Sequence, residues 1–167
     1  CGQVGVERIF GIPLYLDTLA LYLNKDMLND ALNRTSPRPL WSDFRRDASR
    51  LAERDPDTGQ LIKSAVAMGG GESITAAADI MAMLLVQYGA EVFDEERDRA
   101  IIASNQPSDR LINSTEPGVD AFELYTGFAD PAQPEYSWHA GMTDGSEYAE
   151  LAAFLRGDVA MVFGYSD

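Results

Sequence analysis

The middle of the sequence joins a strand-like run, a run of glycines and a helical stripe, and this order restricts the fold more than any other feature. Residues 61–68 form a mostly apolar run of strand length that leads directly into Gly69, Gly70 and Gly71. The longest helical stripe of the chain follows, with apolar residues spaced at Ile74, Ala77, Ala78, Met81, Leu84, Leu85 and Tyr88. A buried strand that turns through glycines into a long core helix is typical of a layered α/β domain.

Shorter helices and strands are predicted on both sides of this unit. Before it, the patterns indicate an extended segment over residues 9–24, a short helix over residues 25–32 ended by Pro37 and Pro39, and a helix from Trp41 to Ala52 that stops at a turn over residues 55–59. After it, the patterns indicate a cap at Gly89, a hairpin and loop over residues 91–117 and a helix over residues 119–129. An aromatic loop over residues 132–145, a helix over residues 148–156 and a strand over residues 159–163 are predicted to follow. This alternation, without internal repeats, predicts an α/β domain.

The chain is strongly acidic, since 27 aspartate and glutamate residues against 13 lysine and arginine residues give a net charge of −14. Such a surface repels nucleic-acid phosphates and anionic lipid headgroups, so neither is expected as a partner. The single cysteine, Cys1, excludes an internal disulfide and a multi-cysteine metal site. The acidic run at residues 94–98 lacks the spaced pattern of a calcium loop, and neither a metal nor a cofactor is predicted.

Three stretches carry a resemblance to a known family. They are GIPLYLDTLALYLNKDML at residues 11–28, PLWSDF at residues 39–44 and FLRGDVAMVFG at residues 154–164. In order and spacing they resemble bacterial extracellular solute-binding proteins of the sugar-binding, maltose-binding-protein-like kind. One departure is Leu40, because the family usually has a threonine there that caps a helix, and leucine offers no side-chain hydrogen bond.

The resemblance implies a fold, a division of the chain and an activity. The implied fold is a type II periplasmic-binding-protein-like lobe of the α/β class, with helices on a small mixed sheet and hinge-crossing strands at both ends. Residues 1–24 would cross from a first lobe, residues 25–158 would form the second lobe, and residues 159–167 would return to the hinge. The implied activity is capture of an extracellular carbohydrate, by expectation an oligosaccharide, between the lobes and its delivery to the permease subunits of an ABC transporter.

Ligand contacts are expected where the chain crosses the hinge and where helices begin at the cleft. The resemblance and the residue types together point to Asp17, Tyr15, Gly70, Gly71, Glu72, Trp138 and Tyr165. Asp17 would accept sugar hydroxyls, the glycines would free backbone donors at a helix start, and Tyr165 and Trp138 would stack on sugar rings. Structural alternatives stay open, with Asp17 bonding the hinge backbone and Glu72 stabilising the helix dipole.

Two other functions also stay open. A binding protein for a peptide, a polyamine or an anion would share the fold. A carbohydrate-active enzyme would need two carboxylates at a set distance, and Asp17 and Glu72 are the candidates. Nothing in the sequence sets that distance, and the lone His139 has no evident catalytic partner, so an enzyme is not expected.

The start of the chain allows two interpretations. Cys1 followed by Gly2 resembles the lipidated cysteine of a mature bacterial lipoprotein. The short stretch before the first hinge segment instead favours the edge of a fragment. Under either interpretation the resemblance implies an extracytoplasmic location, in the periplasm or at the outer face of the membrane, with the membrane reached only through a lipid anchor.

Overall fold

The computed structural model describes residues 14–94, 98–102, 115–143 and 145–165 of the chain. Its strands are β1 (Ala20–Leu23), β2 (Glu53–Arg54), β3 (Leu61–Val66), β4 (Phe93–Asp94), β5 (Arg99–Ala100) and β6 (Val159–Gly164). Its helices are α1 (Lys25–Leu32), α2 (Trp41–Leu51), α3 (Ala77–Tyr88), α4 (Pro117–Gly127) and α5 (Ala149–Arg156), with a 3-10 turn at Ala140–Met142. Helices and strands therefore alternate along the chain, as the sequence predicts.

Four strands form one mixed sheet in the order β1-β6-β3-β2. β3 lies parallel to β6, with Val66 opposite Met161, whereas β1 lies antiparallel to β6, with Ala20 opposite Gly164. β2 adds an antiparallel edge beside β3, and β4 pairs with β5 in a separate hairpin. Because β3 and β6 run the same way, their last residues meet at one edge of the sheet, where β1 also begins. We call this edge the carboxyl edge.

The core lies between the sheet and the helices that cover it. α2 lies against β3, α5 against β6, and α3 against α4. β6 reads as a continuous apolar run, and its residues 159–163 are all buried, which is typical of a strand covered on both faces. The largest fully buried side chains include Trp138, Phe128, Leu28, Met68, Ile80 and Leu84. Each aliphatic member of this set contributes about 1.5–3 kcal/mol by leaving water.

The helices lie close to where the periodicity places them. α1 covers residues 25–32 as predicted, and Gly89 caps α3 in the left-handed region at φ 76°. α3 begins at Ala77 rather than Ile74, because turns precede it. α4 begins earlier than predicted, at Pro117, since proline is well suited to the first turn of a helix.

The strands and loops show larger differences. Residues 14–19 carry no regular structure, so the predicted extended segment is a strand only over β1, and its first part lies outside the described residues. The predicted hairpin is β4 with β5, and most of the loop expected after it also lies outside the described residues. β2 was not predicted, because a strand of two residues leaves no periodic signal.

Leu40 leaves α2 without a side-chain cap, as predicted from its departure from the family pattern. Its backbone is extended at φ −89° and ψ 136°, and its carbonyl oxygen accepts the amide of Phe44 at 2.8 Å. The Leu40 side chain is 62% exposed. The first turn of α2 therefore misses the side-chain acceptor that threonine would offer.

Within the described ranges no helix is both long and apolar enough to cross a bilayer, and α3, the longest, has 12 residues. The same ranges bring together no group of three His, Cys, Asp or Glu side chains suited to a metal ion.

Candidate binding groove

The chain leaves β3 and β6 at the carboxyl edge and builds the candidate site there. β3 continues into Gly69, Gly70 and Gly71, which we call the glycine turn, and β6 continues into Tyr165. β1 starts at the same edge, so Asp17, just before it in the chain, arrives there as well. Open α/β sheets bind their ligands outside the carboxyl ends of the parallel strands. This edge is therefore the first place to look for a ligand site.

Three adjoining hollows follow this edge. The first, of about 570 Å³, is lined by residues that include Tyr22, Tyr148, Leu151, Phe163 and Tyr165. The second, of about 520 Å³, is lined by residues that include Gly70, Gly71, Glu72, Trp138 and His139. A smaller hollow of about 240 Å³ shares Thr75, Tyr148 and Glu150 with the first and Glu72, Ser73 and Thr143 with the second. The three hollows form one continuous surface, which we call the groove.

The glycine turn is held by close packing against the end of α4. Gly69 has φ 95°, and a Cβ at this position would lie 2.6 Å from the backbone nitrogen of Ala129. The carbonyl oxygen of Gly70 accepts a 2.7 Å hydrogen bond from the hydroxyl of Tyr125, a buried residue of α4. Burial raises the pKa of Tyr125 to about 12, so its hydroxyl keeps its proton at neutral pH. Gly71 is exposed, and a Cβ there would meet no atom within 4 Å.

Trp138 lies beneath the glycine turn. Its side chain is 0% exposed, and its indole Nε1 donates to the Ser73 hydroxyl at 3.0 Å. A fully buried ring has no free face on which a sugar could stack, so in this structure Trp138 supports the turn. The aromatic loop around it suggested exposure, but the amides of Ser137 and Trp138 both bond to the carbonyl of Phe128 and draw the loop against the end of α4.

Tyr165 lies at one end of the groove, near one residue that the sequence predicted for the site and two that it did not. Its side chain is 40% exposed, and its carbonyl oxygen accepts a 2.7 Å hydrogen bond from the hydroxyl of Tyr22. Its own hydroxyl lies close enough to the carboxylates of Asp79 and Asp17 for their charges to act on it. Partial burial, followed by the charges of Asp79 and Asp17, raises the pKa of the Tyr165 hydroxyl. Asp17 and Asp79 therefore lie near Tyr165, although neither is among the described residues that line the three hollows. Tyr22, which lines the first hollow, and Asp79 are residues of this region that the sequence analysis missed.

The segment before β1 carries the two remaining expected contacts. Asp17 is half-buried, and its Oδ1 accepts the backbone amide of Thr18 at 2.7 Å. Tyr15 is 81% exposed and is not among the described residues that line the groove. The expectation that Tyr15 contacts a ligand stays a prediction.

Tyr148 is a further groove residue that the sequence analysis missed. It lines the first and the smallest hollow, and its side chain is 52% exposed. Its backbone lies in the left-handed region at φ 60° and ψ 36°, a conformation that costs an L-residue about 1–2 kcal/mol. The sequence pattern assigned Tyr148 to the apolar face of a helix. No local signal predicted this strained conformation.

Glu150 fixes the stretch between the two ends of the groove. Its side chain is buried, and its Oε1 accepts the backbone amide of Thr75 at 2.9 Å. This bond ties the first turn of α5 to the turn before α3. It therefore sets the positions of Tyr148 and Glu72 on the two sides of the smallest hollow.

Two solved structures share this fold. A solute-binding protein of an ABC transporter from Thermotoga lettingae, bound with alpha-D-tagatose, matches at a TM-score of 0.62 and 20% identity over 89% of this chain and 33% of its own. An ABC substrate-binding protein from Listeria monocytogenes, in complex with cycloalternan, matches at a TM-score of 0.60 and 16% identity over 89% of this chain and 32% of its own. The chain thus spans about a third of the length of each protein. These matches confirm the predicted α/β fold of type II periplasmic binding proteins.

The sequence itself matches a protein family over nearly its whole length. No curated protein sequence matches the chain. The sequence model of the bacterial extracellular solute-binding proteins, however, matches residues 2–167, which include every described residue of the groove. The chain therefore belongs to the family of bacterial extracellular solute-binding proteins, as the three stretches of sequence predicted.

Proposed function

We propose that this chain forms one wall of the cleft in which an extracellular receptor captures a carbohydrate, by preference an oligosaccharide, for delivery to the permease of an ABC transporter. The observation that carries the proposal is the groove at the carboxyl edge, where exposed tyrosine rings lie among carboxylates. The family match supports the receptor role. The sugars bound to the two structurally similar proteins support a carbohydrate as the ligand.

Sugars need two kinds of contact, and the groove offers both. The apolar face of a sugar ring packs on an aromatic ring, and Tyr148 and Tyr165 expose theirs to the same hollow. Sugar hydroxyls donate to carboxylates, and Asp17 and Asp79 lie beside Tyr165. In the proposed complex Tyr165 and Tyr148 stack on sugar rings, while Asp17 accepts hydroxyl hydrogen bonds.

The glycine turn supplies the other end of the site. Gly70 and Gly71 place no side chain between a ligand and the backbone, and Glu72 stands exposed beside them. In the proposed complex this end contacts a second sugar unit. Trp138 and Tyr125 act as positioning residues, because neither ring is open to a ligand. Tyr125 holds the turn by its hydrogen bond to Gly70, and Trp138 holds Ser73, just after the turn.

The topology also supports the expected division of the chain. Ala20 and Gly164 lie opposite each other, so the chain enters and leaves the sheet side by side at the groove. Two neighbouring crossings to another lobe need this arrangement. We assign residues 1–24 and 159–167 to the crossings and residues 25–158 to the second lobe, whose cleft would close on the sugar by hinge motion.

The proposed activity is binding without chemical change to the sugar. The family consists of extracellular binding proteins, and both structurally similar proteins are binding proteins. We accordingly place the receptor outside the cytoplasm.

Calorimetric titration of the full-length protein, expressed from its complete reading frame, tests the proposal. The ligand panel includes neutral mono- and oligosaccharides, amino and acidic sugars, peptides, polyamines and inorganic anions. We expect one class of sugar to bind at micromolar concentration. Binding of a peptide, a polyamine or an anion, with no response to any sugar, would overturn the proposal.

Two variants and a matched control connect that binding to the groove. Tyr165→Ala removes a stacking face and should weaken sugar binding about tenfold or more, while Asp17→Asn should weaken it through lost hydroxyl contacts. Phe93→Ala removes a ring that is 50% exposed on β4, outside the groove, and should leave affinity unchanged. Equal losses in Phe93→Ala and Tyr165→Ala would place the sugar elsewhere.

A further inference from the structure

The described wall of the groove carries charge of one sign. Glu72 and Glu147 are exposed along it, and Glu150 lies buried behind it. Among the described residues that line the three hollows, none is lysine or arginine. A ligand in the groove therefore meets several carboxylates from this lobe and no described lysine or arginine.

Two more carboxylates stand at the Tyr165 end. Asp79 and Asp17 both lie close enough to Tyr165 for their charges to act on its hydroxyl. Together with partial burial, these charges raise the pKa of Tyr165, as expected where the electrostatic potential is negative. Carboxylates therefore lie along the groove at Glu72 and Glu147 and beside its Tyr165 end, and the exposed rings of Tyr148 and Tyr165 lie near them.

Arginines on the sides of this lobe are held by other partners. Arg54 donates to the carbonyl oxygen of Tyr136 at 2.6 Å, and its guanidinium lies 5.1 Å from the centre of that ring. Arg45 forms an ion pair with the buried carboxylate of Glu135. An acidic ligand in the groove would have to break such contacts to reach either charge.

The histidine of the groove is engaged with the backbone of its own loop. His139 lines the second hollow, and its Nδ1 accepts the backbone amide of Gly141 at 3.1 Å. His139 therefore caps the 3-10 turn through its side chain.

On the basis of the proposed function, we infer that the carbohydrate bound in this groove carries a free amino group and that acidic sugars are excluded. An ammonium group donates charge-assisted hydrogen bonds to carboxylates such as Asp17 and Asp79, and it is attracted to the faces of Tyr165 and Tyr148. A hydroxyl in its place makes weaker hydrogen bonds and gains nothing from the ring faces. A sugar carboxylate meets like charges instead. The net charge of −14 further concentrates cationic solutes near the protein.

Matched sugars in which an amino group replaces one hydroxyl test this inference on the full-length protein. The pairs are glucose with glucosamine, galactose with galactosamine and mannose with mannosamine, each as monomer and short oligomer, beside glucuronate and galacturonate. We expect the amino member of at least one pair to bind about tenfold more tightly than its neutral partner, from one ion contact of about 1.4 kcal/mol. This preference should shrink as salt is added, and the uronates should not bind.

Asp79→Asn removes a negative charge near Tyr165 with little change in the shape of the side chain. Asparagine keeps the size of the side chain and its hydrogen-bonding oxygen but loses the charge, so we expect the preference for the amino sugar to fall about threefold or more while binding of the neutral partner changes little. Asp57→Asn is the matched control, because it removes the same charge from an exposed turn that leads into β3, at the opposite end of that strand from the groove. It should leave the preference unchanged.

The outcomes separate this inference from the proposed function. Equal or tighter binding of the neutral sugars, or binding of a uronate at comparable affinity, would overturn the amino-sugar inference and leave the sugar receptor standing. Equal effects of Asp57→Asn and Asp79→Asn would also overturn it, because the preference would then follow net charge and not the groove. Silence towards every sugar, together with binding of a peptide or a polyamine, would overturn both.

Discussion

The hydroxyl of Tyr125 in α4 donates to the carbonyl oxygen of Gly70 at 2.7 Å, and this bond links the helix core to the glycine turn of the groove. Tyr125→Phe removes it with little change in shape. We expect the free energy of unfolding to fall by about 0.5–1.5 kcal/mol at pH 7, because the bond is lost and the carbonyl of Gly70 is left with one partner fewer. Urea denaturation of the wild type and the variant measures the difference.

The same residue predicts a dependence of stability on alkaline pH. Burial raises the pKa of Tyr125 from 10.0 to about 12, so between these values the unfolded chain loses the proton while the folded chain keeps it. Ionisation then favours the unfolded state, and the contribution of Tyr125 to stability, fully present below pH 10, is lost as the pH rises to 12. The free energy of unfolding should fall less steeply over this window in Tyr125→Phe. Identical slopes in the two proteins would contradict the assignment.

Gly69 and Gly71 offer a matched pair in the glycine turn. Gly69→Ala would put a methyl group 2.6 Å from the nitrogen of Ala129 at φ 95°, and we expect it to lower the free energy of unfolding by about 1–3 kcal/mol or more. Gly71→Ala meets open space and should change stability by less than about 0.5 kcal/mol. Thermal or urea unfolding of both variants measures the two changes in the free energy of unfolding. Similar losses at both positions would show that the turn is not packed as described.

Leu40 predicts a stabilising change. Leu40→Thr would restore a side-chain acceptor for the first turn of α2, and the lost leucine is 62% exposed, so little burial is given up. We expect a gain of about 0.5–1 kcal/mol in the free energy of unfolding. Leu40→Ala is the control, since it removes the same side chain without adding a cap. A gain in both variants would assign the effect to the removed leucine instead.

The local pattern of the sequence predicted the helices better than the site. The spacing of Phe44, Ala48 and Leu51 placed α2, and all three are buried, because helical periodicity is a property of neighbouring residues. The parallel pairing of β3 with β6 joins residues almost a hundred positions apart, and no local pattern reports it. The position of Asp79 beside Tyr165 follows from that pairing, which explains why Asp79 was missed.

Trp138, in contrast, was predicted to contact a ligand and is buried in the structure. An aromatic residue in a polar loop is expected to be exposed, and loops often carry binding residues. Here the hydroxyl oxygen of Ser137, the residue before Trp138, accepts hydrogen bonds from the backbone amides of Ala65 and Val66 at 2.9 Å each. These bonds anchor the loop to the end of β3, and the indole is buried. Composition within the loop contains no information about these partners.

Tyr148 combines an exposed ring with a strained backbone, and two substitutions separate these properties. Tyr148→Ala removes the ring but keeps a Cβ in the left-handed conformation, whereas Tyr148→Gly removes the ring and also relieves the strain. If the ring stacks on a sugar, both variants should bind it about tenfold more weakly, to the same extent. If φ 60° is maintained, the glycine variant should be more stable than the alanine variant by about 1 kcal/mol.

Calorimetry and urea denaturation on the same protein preparations measure the two effects independently. Equal stability of the glycine and alanine variants would show that the left-handed backbone at Tyr148 is not kept in solution. Unchanged sugar affinity in both variants would remove Tyr148 from the binding site, whatever the stability result. The combination of weaker binding with a glycine variant more stable than the alanine variant would mean that a strained backbone at the start of α5 carries a ring that contacts the ligand, because a purely structural tyrosine would lose stability without losing affinity.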